Sequence, residues 1–307
     1  MSLEFSHPRG GLLGRCSEGF ANSAVLKRLR RVSIGKLPFC VLQSDIRDVV
    51  YLNWVVETER VRHLVPESVT LWSRGGQTIL TALTYQHGHF GPAFLGPLRR
   101  GFPSPLQSNW RLYMDSIHGE AVREPTVLFF RNLISNLVYA VGARIFSDVL
   151  PTDLPLTFSY RRDEQQFTID TEPGKSSAPD LRVTTRRATD FAMPADYARF
   201  FGDRESAIRW LCLQDAAVAR VPDINRLALG RISLPIDCGA VRPLEVVPGS
   251  FQSQWLQPIV GGTEPFCFLV ERVCFRVIQE QLLATASSLN GTVRSTLCHD
   301  PTEIGRR

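Results

Sequence analysis

The stretch GARIFSDVLPTDLPLTFSY, Gly142 to Tyr160, decides the fold. Its first half reads as the end of a helix, and its middle is a turn bracketed by Pro151 and Pro155. Its last residues, Leu156 to Tyr160, read as a strand. Upstream, Leu133, Leu137, Val138, Val141 and Ile145 recur at helical spacing, which predicts a helix over 133–146 packed on a sheet. Downstream, 156–161 and 167–171 predict a β-hairpin. The turn Leu150-Pro151-Thr152-Asp153-Leu154 carries no lysine, a fact that bears on chemistry below.

Working outward, residues 37–57 read as extended because VVYLNWVV is rich in β-branched and aromatic residues. A short helix is predicted over 58–64, ending before Pro66. Residues 69–72 and 77–86 are predicted to pair as a hairpin around Ser73-Arg74-Gly75-Gly76. The loop 87–107, with four prolines and with Gly91, Gly96 and Gly101 among its glycines, is longer than a plain connector and reads as a lid or pocket wall. Strands are predicted over 108–117 and 126–130, with a turn at His118-Gly119. A further strand follows at 183–187, and then a helical region over 195–221, interrupted near Gly202. Strands at 228–234 and 266–276 complete the pattern. It predicts one α+β domain over 37–283, mainly antiparallel, with an N-terminal extension over 1–36 and a polar tail over 284–307.

The chain has 307 residues, 44% of them hydrophobic, which suffices for a sizeable core. No run reaches the ~18 apolar residues of a membrane helix. The N-terminus lacks the continuous apolar core of a secretory signal, so a cytoplasmic protein is expected. Residues 22–32, NSAVLKRLRRV, form a basic amphipathic stretch that reads as a solvated helix, with a transit peptide or anionic-surface anchor as the other reading. The seven cysteines are scattered with no C-x-x-C, which argues against a zinc ribbon or disulfide framework. Cys267 and Cys274 fall in an apolar run and are expected to be inert buried thiols.

The net charge is +5, and 32 of the 35 basic residues are arginine. Lysine-based chemistry has only Lys27, Lys36 and Lys175 to draw on. Basic residues are dispersed, so no nucleic-acid partner is expected. Nucleotide-binding glycine motifs and a nucleophile elbow are absent.

The strand SNWRLY puts Asn109, Arg111 and Tyr113 on one face, with Trp110 and Leu112 on the other. If the polar face looks into a closed sheet, Arg111 can hold a carboxylate and Tyr113 can donate a hydrogen bond or proton to a carbonyl oxygen. His87 and His89 stand at i and i+2, as acid/base groups or half of a metal site; no third ligand is evident, so neither metal nor cofactor is assigned. Arg131 is a further candidate for a carboxylate partner. Asp153 reads as a turn or cap residue, and Glu57 and Glu59 as helix-start acids.

The strings LPFCVLQSDIRDVVYLNWVV, ETERVRHLVPESV, SNWRLYM, LFFRN, GARIFSDVLP and ADYARFF, in this order, resemble the YqjF-like family of the acetoacetate decarboxylase-like superfamily. The resemblance covers roughly residues 37–275 and implies a large, strongly bent, mainly antiparallel sheet closing around a pocket, with helices outside. True acetoacetate decarboxylases carry an adjacent lysine pair after the turn, one forming a Schiff base. Here Thr152 and Asp153 stand there. The resemblance also implies an arginine at position 111 that serves the pocket. Arg131-Asn132 and Arg231 to Pro235 depart from the family pattern. The expected function is therefore a small-molecule enzyme of lyase, cyclase or dehydratase type, acting on a carbonyl or carboxylate metabolite without a Schiff-base lysine. A non-catalytic binding protein using the same pocket is the alternative, and a homo-oligomer is left open.

Overall fold

A computed structural model describes residues 3–284. Helices α1 (Gly11–Ala21) and α2 (Ala24–Ser33) precede strand β1 (Leu42–Glu57). Then come β2 (Gln77–Gln86), β3 (Leu106–Ile117), β4 (Thr126–Ile134) and helix α3 (Leu137–Phe146). Strands β5 (Thr157–Arg162), β6 (Gln166–Glu172) and β7 (Leu181–Arg187) lead to helix α4 (Arg204–Cys212). Strands β8 (Ala216–Val221), β9 (Arg226–Ser233), β10 (Arg242–Val246) and β11 (Phe266–Leu282) follow.

Seven of these strands close on themselves in the order β1-β2-β3-β4-β8-β9-β11, because β11 pairs with β9 on one edge and with β1 on the other. Neighbours in this ring are antiparallel except β4 and β8. The remaining strands β5-β6-β7-β10 extend the sheet from β11. The fold is thus α+β with a large, mostly antiparallel sheet wrapped around its own interior.

Strand alternation sorts the side chains. Trp54, Trp110, Leu112 and Phe130 point outward into a core shared with Phe167, Ile169 and Val183 of the extending strands. Tyr51, Leu83, Tyr113, Phe129 and Phe268 point into the ring. Both faces of the ring strands are thereby covered, which is why β4 is buried at every position.

Three expectations change. The strand β4 runs on to Ile134, and α3 begins only after Asn136, whose side chain accepts from the Tyr139 backbone N–H. A short apolar run buried on both faces does not reveal its period. For the same reason Ala216–Val221, expected to be helical, is a strand within the ring. Gly75 and Gly76 do make a tight turn with φ of 57° and 79°, but only Ser73 and Arg74 pair across it. Val69–Leu71 pairs with β3 instead.

The N-terminal segment lies on the body. Phe5 and Ala21 pack with Ile134, Ala140 and Leu154. The basic side of α2 is not simply solvated: Arg31 reaches Asp148 at 2.7 Å and Asp223 at 2.6 Å. Cys267 is buried, whereas Cys274 is exposed. No helix of the described residues is long and apolar enough to cross a membrane. Of the expected tail, 285–307 lies outside the described residues.

Candidate functional site

The interior of the ring holds a cavity of about 1060 Å³. Val49 and Tyr51 of β1, Leu83 and Tyr85 of β2, and Asn109 and Arg111 of β3 line it, as alternation requires. The loop after β2 contributes Phe90 and Phe102, so it does form a pocket wall. At the mouth stand Arg30, Arg31 and Ile34 from the end of α2, with Asp148 and Glu280 opposite.

Arg111 defines one end of this space. Its residue is 2% exposed. Nη2 donates to the Leu211 carbonyl at 2.7 Å, while Nε has no hydrogen-bond partner. The guanidinium lies 5.5 Å and 5.6 Å from the ring centres of Tyr51 and Tyr113. Among the described residues no carboxylate pairs with it. A buried cation normally takes an acidic partner, because desolvation is otherwise uncompensated. Arg111 is such a cation, standing on the cavity wall without a carboxylate partner among the described residues.

A hydrogen-bonded chain runs along the adjoining wall. His87 Nδ1 faces Ser44 Oγ at 2.8 Å and Nε2 faces Gln107 Oε1 at 2.5 Å. Gln107 Nε2 donates to Asn109 Oδ1 at 2.9 Å and to Asn132 Oδ1 at 2.8 Å. Asn132 Nδ2 in turn donates to Thr152 Oγ1, and Asn109 Nδ2 donates to the phenol oxygen of Tyr85 at 3.2 Å. Tyr85 thus accepts from Asn109 through its phenol oxygen, which leaves its own O–H as a donor, and the residue lines the cavity. Burial pushes the Tyr85 and Tyr51 phenols well above their ordinary range, so both stay protonated donors. Burial pushes His87 down to about 4, partly offset by Gln107.

The expected site residues separate in space. Arg111 and Asn109 line the cavity. Tyr113 lies behind it, with its hydroxyl donating to the Leu211 carbonyl at 3.2 Å and 3.0 Å from Thr81 Oγ1. His87 is also behind the wall, stacked on Phe90 with ring centres 4.4 Å apart. The strand ends at Gln86 and His89 takes a φ of 54°, so the two histidines lack the strand geometry that puts i and i+2 on one face. Among the described residues no group of three acidic, histidine or cysteine side chains is placed to hold a metal.

A β-bulge opposite Trp110-Arg111 turns Arg131 to the outer side of β4, away from the cavity. There it stands 3.6 Å from Asp153. Asp153 is no simple turn residue: it is buried and bonded to Arg144 at 2.6 Å. Thr152, its neighbour in the turn, lines the cavity, and neither Lys27 nor Lys175 does.

Sequence reasoning missed Tyr85, Tyr51 and Glu280. The inward phase of β1 and β2 was the signal for the first two, since Tyr51 pairs with Leu83 and Leu83 with Asn109, while Tyr85 stands two residues on from Leu83 on the same face. Glu280 has no such signal. Burial and the Asp148 charge raise its carboxyl above the usual range, against hydrogen bonds from the Asp148 backbone and from Ser147 Oγ at 2.7 Å.

Residues 43–207 match the family DUF2071, "Uncharacterized conserved protein (COG2071)". The chain belongs to this family. No curated protein matches it. Among solved structures, the enduracididine biosynthesis enzyme MppR complexed with pyruvate is similar, with a TM-score of 0.52 at 11% identity over 82% of this chain and 95% of that one. An acetoacetate decarboxylase-like enzyme from Sphingomonas wittichii RW1 gives 0.52 at 9% identity, covering 80% and 94%. Acetoacetate decarboxylase from Legionella pneumophila gives 0.53 at 9%, covering 80% and 88%. Likeness at such identities establishes that the DUF2071 chain shares the acetoacetate decarboxylase-like fold.

Proposed function

We propose that this DUF2071 chain is a small-molecule enzyme acting on a carbonyl or carboxylate metabolite, of lyase, cyclase or dehydratase type, without a Schiff-base lysine. The observation that carries the reading is Arg111, a buried guanidinium on the cavity wall with no acidic partner among the described residues. It anchors the substrate carboxylate by charge-assisted hydrogen bonds. Tyr85 and Tyr51 donate to a carbonyl oxygen near that anchor, so negative charge developing there meets fixed donors in a site of low dielectric. Asn109 sets the direction of the Tyr85 hydroxyl. In this reading His87 and Tyr113 are positioning residues, His87 through Gln107 and Tyr113 through the Leu211 carbonyl that also holds Arg111. The structure of MppR with pyruvate supports a keto-acid ligand in this kind of fold.

The second reading is a non-catalytic binding protein. It is favoured by the pKa pattern beside Arg111: the phenols are pushed up and His87 is pushed down, which leaves no neighbouring group titrating near neutrality. A turnover screen of α- and β-keto acids, with Arg111→Met as control, separates the two. Arginine-dependent turnover supports the enzyme. Saturable, arginine-dependent binding of the same acids with no turnover replaces it with the binding protein.

A further inference from the structure

We infer that the ligand is a carboxylate with a long apolar tail, its head on Arg111 and its tail running toward the mouth between α2 and α3. This rests on the Arg111 anchor proposed above and adds the class of molecule that the anchor serves.

Three observations carry it. The first is size. A cavity of about 1060 Å³ stands at the upper end of the range for drug-sized ligands. A three-carbon keto acid has about six heavy atoms; at no more than roughly one water's share of volume each, ~30 Å³, it leaves most of that space unfilled.

The second is the distribution of polarity. The polar end is made by Arg111 with the phenols of Tyr51 and Tyr85. The amides of the wall, Gln107, Asn109 and Asn132, are engaged with one another and with His87, Tyr85 and Thr152, so they ask little of a ligand. The rest is apolar. Val49, Leu83, Ile134, Ile232 and Val273 come from five strands of the ring, Val149 comes from the loop after α3, and together they line one continuous space. Water in such a space finds few partners, whereas an alkyl or aryl chain is favoured there.

The third is the bore. Ala217 and Gly230 face the cavity from paired positions of β8 and β9, where larger side chains would fill it. At Gly230 an added Cβ would stand 3.2 Å from Val149 Cγ1. Val149 thus takes the space that a Cβ of Gly230 would need, and Ala217 beside it keeps the wall short where a larger side chain would project into the passage. At the mouth the charges of Arg30 and Arg31 are paired with Asp148, and the exposed apolar side chains Ile34, Val138 and Phe146 stand beside them.

The test is calorimetric titration of the full chain with butanoate, octanoate and dodecanoate, and with 1-dodecanol as the uncharged match. The expected result is affinity rising with chain length, at up to about fourfold per buried methylene. Arg111→Met should weaken dodecanoate at least tenfold and leave 1-dodecanol unchanged. Ala217→Leu should weaken dodecanoate and spare butanoate, and Ile232→Phe serves the same purpose should the first variant fail to fold. Butanoate and octanoate binding as tightly as dodecanoate, all weakened by Arg111→Met, would overturn the tail while leaving the Arg111 anchor intact. Dodecanoate and dodecanol binding alike, both insensitive to Arg111→Met, would overturn the head group and the anchor together.

Discussion

Oδ1 of Asp153 sits 2.6 Å from Nη2 of Arg144, and both residues are buried. The pair ties the helix end of GAR to the turn of LPTD, while Arg144 Nε bonds the Thr152 carbonyl at 2.6 Å. The short strand Thr152–Asp153 is thereby held parallel to Asn132-Leu133, with Thr152 facing the cavity. Removing one member leaves the other charged and desolvated. Asp153→Asn should cost about 3–5 kcal/mol in urea unfolding. The double variant Arg144→Met, Asp153→Leu should cost less than the sum of the two single changes. A cost equal to that sum would mean that the pair is not coupled.

Arg111→Met tests function against stability. Charge-assisted hydrogen bonds are worth about 1.5–3 kcal/mol, so carboxylate affinity should fall by roughly 10- to 150-fold. The melting temperature should hold or rise, because a buried cation without a counter-ion is a standing cost to the folded state. A large drop in melting temperature would assign Arg111 to the scaffold.

The two tyrosines on the polar side should behave differently. Tyr85→Phe removes a donor of the cavity wall, so kcat should fall by about 100-fold with KM changed little. Tyr113→Phe removes bonds to Leu211 and Thr81, which should lower stability by about 1 kcal/mol and raise KM through a loosened Arg111. The reverse pattern in steady-state kinetics would restore Tyr113 as the reacting group.

His87 gives a dependence on acid. Burial holds its folded pKa at about 4, against 6.5 when unfolded. Between those values the unfolded chain takes up a proton that the folded chain refuses. This contribution to stability is complete above pH 6.5 and declines as the pH falls to about 4, by up to roughly 3 kcal/mol. Urea melts from pH 4.5 to 8 should show that slope in the native protein and a flatter one in His87→Gln.

Gly88 fixes the loop behind the histidine. A Cβ there would stand 2.5 Å from the Asp45 carbonyl oxygen, which belongs to a backbone that cannot swing aside. Gly88→Ala should cost about 1–3 kcal/mol in thermal unfolding. Gly262→Ala, with nothing within 4 Å, should be neutral.

Much of this was legible in the residues. The alternation of Asn109, Arg111 and Tyr113 against Trp110 and Leu112 gave the correct facing, and the run 87–107 gave the pocket wall. Reading failed where burial is two-sided: LFFRNLI and AAVARV carry no period when both faces are covered. It failed again at Tyr113 and Tyr85, because alternation fixes the side of a strand but not the depth along it. Depth depends on register with β2 and on Leu211 arriving from α4, a contact between residues a hundred positions apart. Asp153 was read as a turn residue since its partner Arg144 acts across the turn, not along it.

The last described strand has a consequence for order in time. β11 closes the ring by touching β1 with residues 266–277 and β9 with residues 276–282. A chain growing on the ribosome has Arg111, Tyr85 and the amide wall in place long before Val273 and Glu280 exist. Until then the six earlier ring strands form a trough, with its apolar lining open along one side. The chamber is finished by nearly the last of the described residues to be made, and during synthesis that exposed trough is what a chaperone would meet.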